Sequence, residues 1–96
     1  MIETRNDNIQ LIREKSRHVF HLLNLVENTS GNDRFVTILK VLEVVWENRI
    51  MFRKYPIFRK VVLIKRAEFL ENIKLYNPKD KNVIRMKKIL KLLKNF

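Results

Sequence analysis

Residues 33–48 read DRFVTILKVLEVVWEN. The apolar positions Phe35, Ile38, Leu39, Leu42, Val45 and Trp46 follow one another at spacings of 3, 1, 3, 3 and 1. That is the period of a helix with one apolar face, since a half-buried strand alternates every second residue. Val36, Val41 and Val44 fall off the main stripe, as expected for a helix near the centre of a bundle. Trp46 lies on the stripe and is predicted to anchor the core.

Working outward, Thr29-Ser30-Gly31-Asn32 is the clearest break in the chain. Gly31 can take the left-handed conformation of a tight exit, and Asn32 or Asp33 is predicted to cap the helix that follows. Upstream, residues 5–28 place Ile9, Ile12, Val19, Phe20, Leu23 and Val26 at helical spacing, with Leu11, Leu22 and Leu25 widening the face. Asn6 or Asn8 is a candidate cap. Downstream, Pro56 suits the first position of a helix. The expected helices are 56–64, with Ile57, Phe58, Val61 and Val62 inward, and 65–76, with Phe69, Leu70 and Ile73 inward. No breaker separates the two. Asn77-Pro78-Lys79-Asp80 is the second break, and 79–95 forms the last helix on Val83, Met86, Ile89, Leu90, Leu93 and Phe96. The sequence thus predicts an all-α, compact single-domain bundle of four or five helices, about 5–28, 33–48, 56–64, 65–76 and 79–95.

Composition agrees. The 96 residues are 46% hydrophobic, enough for a core and too many for a disordered chain. One Gly and two Pro are too few for the repeated turns of a sandwich or barrel. There is no Cys, which removes a disulfide framework, a thiolate zinc site and a thiol nucleophile. No apolar run approaches a membrane span and the first residues have no apolar signal core, so a soluble nuclear or cytoplasmic protein is expected.

Charge divides the chain. Residues 1–48 hold 6 basic and 7 acidic side chains, a net −1; residues 49–96 hold 15 basic and 3 acidic, a net +12. A field of one sign this large attracts polyanions. Within the segment Phe52-Arg53-Lys54-Tyr55-Pro56-Ile57-Phe58-Arg59-Lys60, aromatic rings alternate with cations. Cations beside rings suit phosphates and stacked bases, or carboxylates and an aromatic anchor.

The close of the chain reads Leu70-x-x-Ile73-Lys74, then Asn77-Pro-Lys-Asp80, then Val83-x-x-x-Lys87-Lys88-Ile89-Leu90-x-x-Leu93-Lys94. It resembles the end of the N-terminal domain of transcription elongation factor TFIIS, and is similar to the integrase-binding domain of the LEDGF coactivator. Ile38-Leu39-Lys40-Val41-Leu42 and Pro56-Ile57-x-x-x-Val61-Val62 resemble the second helix and the entry to the third. The chain departs from that pattern at Leu92-Leu93, where a Trp is usual, and at Met86, where Ala is usual. It also carries about eight extra residues before Pro56. The resemblance covers residues 32–96. It implies a helical docking module for acidic linear motifs of transcription and chromatin factors, with the Gly31–Arg34 and Tyr76–Lys81 loops lining the site.

The candidate partner-binding residues are therefore Arg53, Lys54, Tyr55, Arg59, Lys60, Lys65 and Arg66, joined by Asn32, Asp33 and Arg34. No catalytic constellation is visible. His18 and His21 with Glu14 share one helical face, but a metal site wants a further ligand and the chain has no third His and no Cys. Glu43 and Glu47 share a polar helix edge without a cleft, and one Gly builds no phosphate loop. No cofactor, metal or membrane span is expected. The expected function is a non-catalytic protein–protein interaction module for an acidic peptide motif. The alternatives are a small basic nucleic-acid-binding protein or a helical homo-oligomer.

Overall fold

The computed structural model describes the backbone of residues 2–96 and the side chains of residues 9–96. Five α-helices follow one another: α1 (Ile2–Glu27), α2 (Gly31–Glu47), α3 (Arg49–Arg53), α4 (Pro56–Asn72) and α5 (Lys81–Leu92). Short 3₁₀ turns extend the last two, at Ile73–Leu75 and Leu93–Asn95. No strand occurs among the described residues, so the fold is an all-α bundle whose helix number falls within the four or five expected.

Side-chain pairings set the helix directions. Phe20 meets Phe58 at 6.0 Å and Glu27 meets Lys65 at 3.6 Å, so α1 and α4 run the same way. Phe35 meets Tyr76 at 4.7 Å and Glu43 meets Arg85 at 3.3 Å, so α2 and α5 run together. Arg66 at the middle of α4 meets Leu90 near the end of α5, while Leu70, further along α4, shares a groove with Lys87, earlier on α5, so these two are antiparallel. The result is an up-down-up-down bundle in which α3 turns the corner between α2 and α4. The core is continuous through Val19, Ile38, Phe52, Met86 and Leu90, and no polar side chain among the described residues is fully buried. Phe52 is wholly enclosed and stacks on Phe58 at 3.9 Å.

Several expectations shift in register. The helical backbone of α1 runs through Asn6 and Asn8, so neither caps it. An interior Asn costs at most about 0.7 kcal/mol relative to Ala, and no Gly or Pro interrupts the ladder before Gly31. Val19, Leu22, Leu23 and Val26 are buried, whereas Ile9, Leu11 and Phe20 are exposed. α1 is about 39 Å long at 1.5 Å per residue, longer than the partner helices it packs on. α2 begins at Gly31, two residues early, because the Arg34 amide donates to the Ser30 carbonyl at 3.4 Å. Ser30, not Asn32 or Asp33, takes the N-cap position. Gly31 is at φ +56°, the left-handed backbone expected of it. Trp46 is half-buried at the edge of the core under the Arg49 guanidinium, 4.2 Å from its ring.

Residues 49–55 form the separate short helix α3 and its exit, and one helix runs from Pro56 to Asn72 where two were expected. Pro56 starts that helix as predicted. Ile57, expected inward, is 81% exposed. α5 begins at Lys81, because Asp80 caps it: its Oδ1 accepts the Asn82 amide at 2.7 Å. The preceding turn is closed by Asn77, whose Oδ1 accepts the Lys79 amide at 3.0 Å.

Candidate basic docking seam

The expected site residues separate into cations that hold the fold and cations that face solvent. Arg66 is half-buried, and its Nε donates to the Leu90 carbonyl at 2.7 Å. That carbonyl is in the last turn of α5, where the helix leaves acceptors without intrahelical donors. Arg34 does the same for α1: its Nε donates to the Val26 carbonyl at 3.1 Å. Lys65 donates to Glu68 at 2.9 Å and lies 3.6 Å from Glu27. The Glu68 hydrogen bond is the main cause of a raised Lys65 pKa, above the ordinary 10.5. Arg34 and Lys65 line one crevice with Glu27 and Glu68, so that crevice is balanced in charge and offers no net attraction to an anion.

Asn32 and Asp33 are exposed in the first turn of α2 and are not a loop. The two connections expected to line a common site do meet, however. The Tyr76 hydroxyl donates to the Gly31 carbonyl at 2.9 Å, and the Tyr76 ring packs on Phe35. Lys54 and Tyr55 lie elsewhere, beside Leu11, Ile12, Ile50 and Met51 at the α3 corner. His18 and His21 are exposed on α1.

Arg53, Arg59 and Lys60 are exposed, and none forms an ion pair among the described residues. Two of them belong to a longer feature. The Arg66–Leu90 bond marks the alignment of α4 with α5: Leu70 lies beside Lys87, with which it lines one groove, and antiparallel counting from the bond brings Leu63 near Lys94. The helical period puts Arg59, Leu63 and Leu70 along the α5 side of α4, and Lys87, Lys91 and Lys94 along the α4 side of α5. The Arg53 guanidinium stands 5.9 Å from the ring of Phe96 at the far end of the same seam. At the near end the seam opens into a groove lined by Leu70, Ile73, Lys74, Tyr76, Pro78 and Lys87. Its only acid, Glu71, is already paired with Lys74 at 3.0 Å.

The floor residues Leu70 and Ile73 were legible as apolar positions, and Lys87 as part of a basic run. What joined them was invisible in the sequence, because the alignment of α4 with α5 is set by tertiary packing, to which the Arg66–Leu90 bond contributes. Arg85, in the same run, is diverted to Glu43 on α2.

The arrangement supplies an apolar pocket and a row of cations. It holds no opposed pair of titratable groups in a cleft, and no cluster of three or more His, Cys, Asp or Glu capable of holding a metal occurs among the described residues. No described helix is long and apolar enough to cross a membrane. No protein-family model, curated protein or solved structure matches the chain.

Proposed function

We propose that the protein is a docking module for an acidic linear segment, which lies along the α4–α5 seam. One observation carries the reading: an apolar groove opens onto Lys87, beyond which Lys91 and Lys94 follow, and none of the three forms an ion pair among the described residues. An apolar or aromatic anchor of the ligand enters between Leu70, Ile73, Tyr76 and Pro78. Its carboxylates meet Lys87, Lys91, Lys94 and Arg59. Apolar burial supplies the affinity, while the cations steer the encounter and set the direction of the peptide. The resemblance to the TFIIS N-terminal domain supports the same reading and names transcription and chromatin factors, hence the nucleus, as the class of partner. The seam also favours a second reading, because Lys87, Lys91 and Lys94 form a line that phosphates can follow.

Fluorescence anisotropy with a labelled acidic peptide carrying one aromatic anchor separates the two. The docking reading expects binding that weakens when the anchor is changed to Ser or when Lys87 and Lys91 are both changed to Glu. Its salt dependence should be shallow. A labelled single-stranded oligonucleotide that binds instead, with affinity falling steeply in log salt, replaces it with the nucleic-acid reading.

A further inference from the structure

Every residue from Lys81 to Phe96 is either buried or fully exposed, so α5 has a sharp inner and outer side. Val83, Met86, Leu90 and Leu93 form the inner side. Along the outer side run Lys81, Ile84, Lys88 and Leu92, at i, i+3, i+7 and i+11, so cation and aliphatic alternate. At about 100° per residue, Ile84 stands half a turn from Leu93. Ile84 and Leu92 are 57% and 46% exposed. They lie about 12 Å apart along the axis, with Lys88 midway between them. Acid is kept off this side. None occurs between Lys81 and Phe96. Glu43, the α2 acid that reaches α5, is taken up by Arg85 at 3.3 Å, and Glu47 lines the groove at the α3 corner with Lys54. Lys81, Lys88 and Lys91 form no ion pair among the described residues.

We propose that this outer side of α5 seats the protein on an anionic lipid surface, with the helix axis parallel to the membrane plane. Ile84 and Leu92 enter the boundary between headgroups and acyl chains, and Lys81, Lys88 and Lys91 meet the anionic headgroups beside them. A lysine stem is itself apolar, so its methylenes lie along the boundary while the ammonium stays wet. The aliphatic pair decides the occupant. The phosphates of a nucleic acid gain nothing from two aliphatic side chains, and α5 carries no aromatic ring for a base to stack on. An acidic peptide needs a groove for its apolar anchors, whereas this is the convex side of one helix. A fluid bilayer closes around a convex face. It also offers negative charge and apolar chains at adjacent depths, as the alternation of Lys and aliphatic requires. The core side of α5 is already packed, so seating needs no rearrangement of the bundle. The surface is distinct from the floor of the docking seam, since Leu70, Ile73 and Tyr76 take no part in it.

The test uses the full chain at physiological salt. Co-sedimentation should show binding to vesicles of mixed phosphatidylcholine and phosphatidylserine, and none to phosphatidylcholine alone. Lys81→Gln with Lys88→Gln should weaken binding about 25-fold, since each lysine near an anionic leaflet contributes about fivefold. Ile84→Ser with Leu92→Ser should weaken it about tenfold at unchanged charge. All four positions are exposed, and circular dichroism confirms that each variant keeps its helices. The chain has no Cys, so a dye sensitive to polarity can be placed at Ile84→Cys alone. Its emission should shift to the blue on the mixed vesicles. The same dye at His21→Cys, exposed on α1 diagonally across the bundle, should not shift. No binding to the mixed vesicles overturns the proposal, as does a dye at Ile84→Cys that stays in water. Binding that Ile84→Ser with Leu92→Ser leaves unchanged also overturns it, because the lysines would then serve any polyanion. A single-stranded oligonucleotide that binds the parent and responds to the lysine pair alone would then name nucleic acid as the occupant.

Discussion

The Tyr76 hydroxyl donates to the Gly31 carbonyl at 2.9 Å, across 45 residues of chain. This bond ties the α1–α2 connection to the turn that precedes α5, and the Tyr76 ring lies 4.7 Å from that of Phe35. Tyr76→Phe keeps the ring contact and removes only the hydroxyl. It should cost about 0.5–1 kcal/mol in urea unfolding, the lower range for a hydrogen bond because water reaches the site. Tyr76→Ala should cost more, through the lost ring. Equal losses for the two would show that the hydroxyl alone matters.

Arg66 and Arg59 are seven residues apart on α4 and should behave oppositely. Arg66→Met leaves the Leu90 carbonyl without its donor in a half-buried site, at about 1–3 kcal/mol. Arg59→Ser removes an exposed cation with no protein partner among the described residues and should lie within about 0.5 kcal/mol of the wild type. Binding of the acidic peptide should respond in the reverse order among variants that remain folded. A stable Arg66→Met protein would remove the claim that this side chain closes the seam.

Gly31 has φ +56°, and a Cβ built there meets nothing within 4 Å. The whole cost of Gly31→Ala is therefore backbone strain, about 1–2 kcal/mol. Gly31→Asn should cost less, since Asn tolerates this region better than other side chains. Thermal unfolding of the two variants gives the comparison. An Ala variant as stable as the parent would mean that the connection relaxes to another conformation.

The raised pKa of Lys65 comes first from its hydrogen bond to Glu68, then from the nearby charges of Glu68 and Glu27, against an opposing loss of hydration. A lysine whose folded pKa exceeds the unfolded 10.5 stabilises the fold fully below that value, and the contribution is lost as pH rises through the folded pKa. The stability difference between the parent and Lys65→Met should thus stay constant from about pH 6 to about pH 9 and shrink only above about pH 10.5. A difference that already falls near neutral pH would mean that another group carries it.

Phe52 is completely enclosed and stacks on Phe58 at an interplanar angle of 12°. Phe52→Leu should be tolerated with a modest loss, whereas Phe52→Ala should cost about 3–5 kcal/mol, a large share of the stability of a domain this size. Urea midpoints for the two variants check this. A small Ala penalty would show that α3 collapses into the space.

What the chain determined locally is clear from its spacing and its breakers. The apolar period of 33–48, the single Gly at 31 and the prolines at 56 and 78 were enough to predict an all-helical bundle and the start of α4. These are decided by a residue and its near neighbours, through backbone conformation and hydrogen bonding within a turn. The sequence also located the positive charge in the second half. It did not sort that charge. Arg34, Lys65 and Arg66 look no different in sequence from Arg53, Arg59 and Lys60, yet the first three are bound to carbonyls or carboxylates and the others face water. Likewise Ile57 and Phe58 are adjacent apolar residues at the head of one helix, and only one enters the core. Partners supplied from 24 residues away, as Leu90 is to Arg66, depend on how helices dock. Docking is fixed by the summed fit of many side chains, which no single spacing records. The tertiary structure alone therefore decided which cations form the seam and which hold the bundle together.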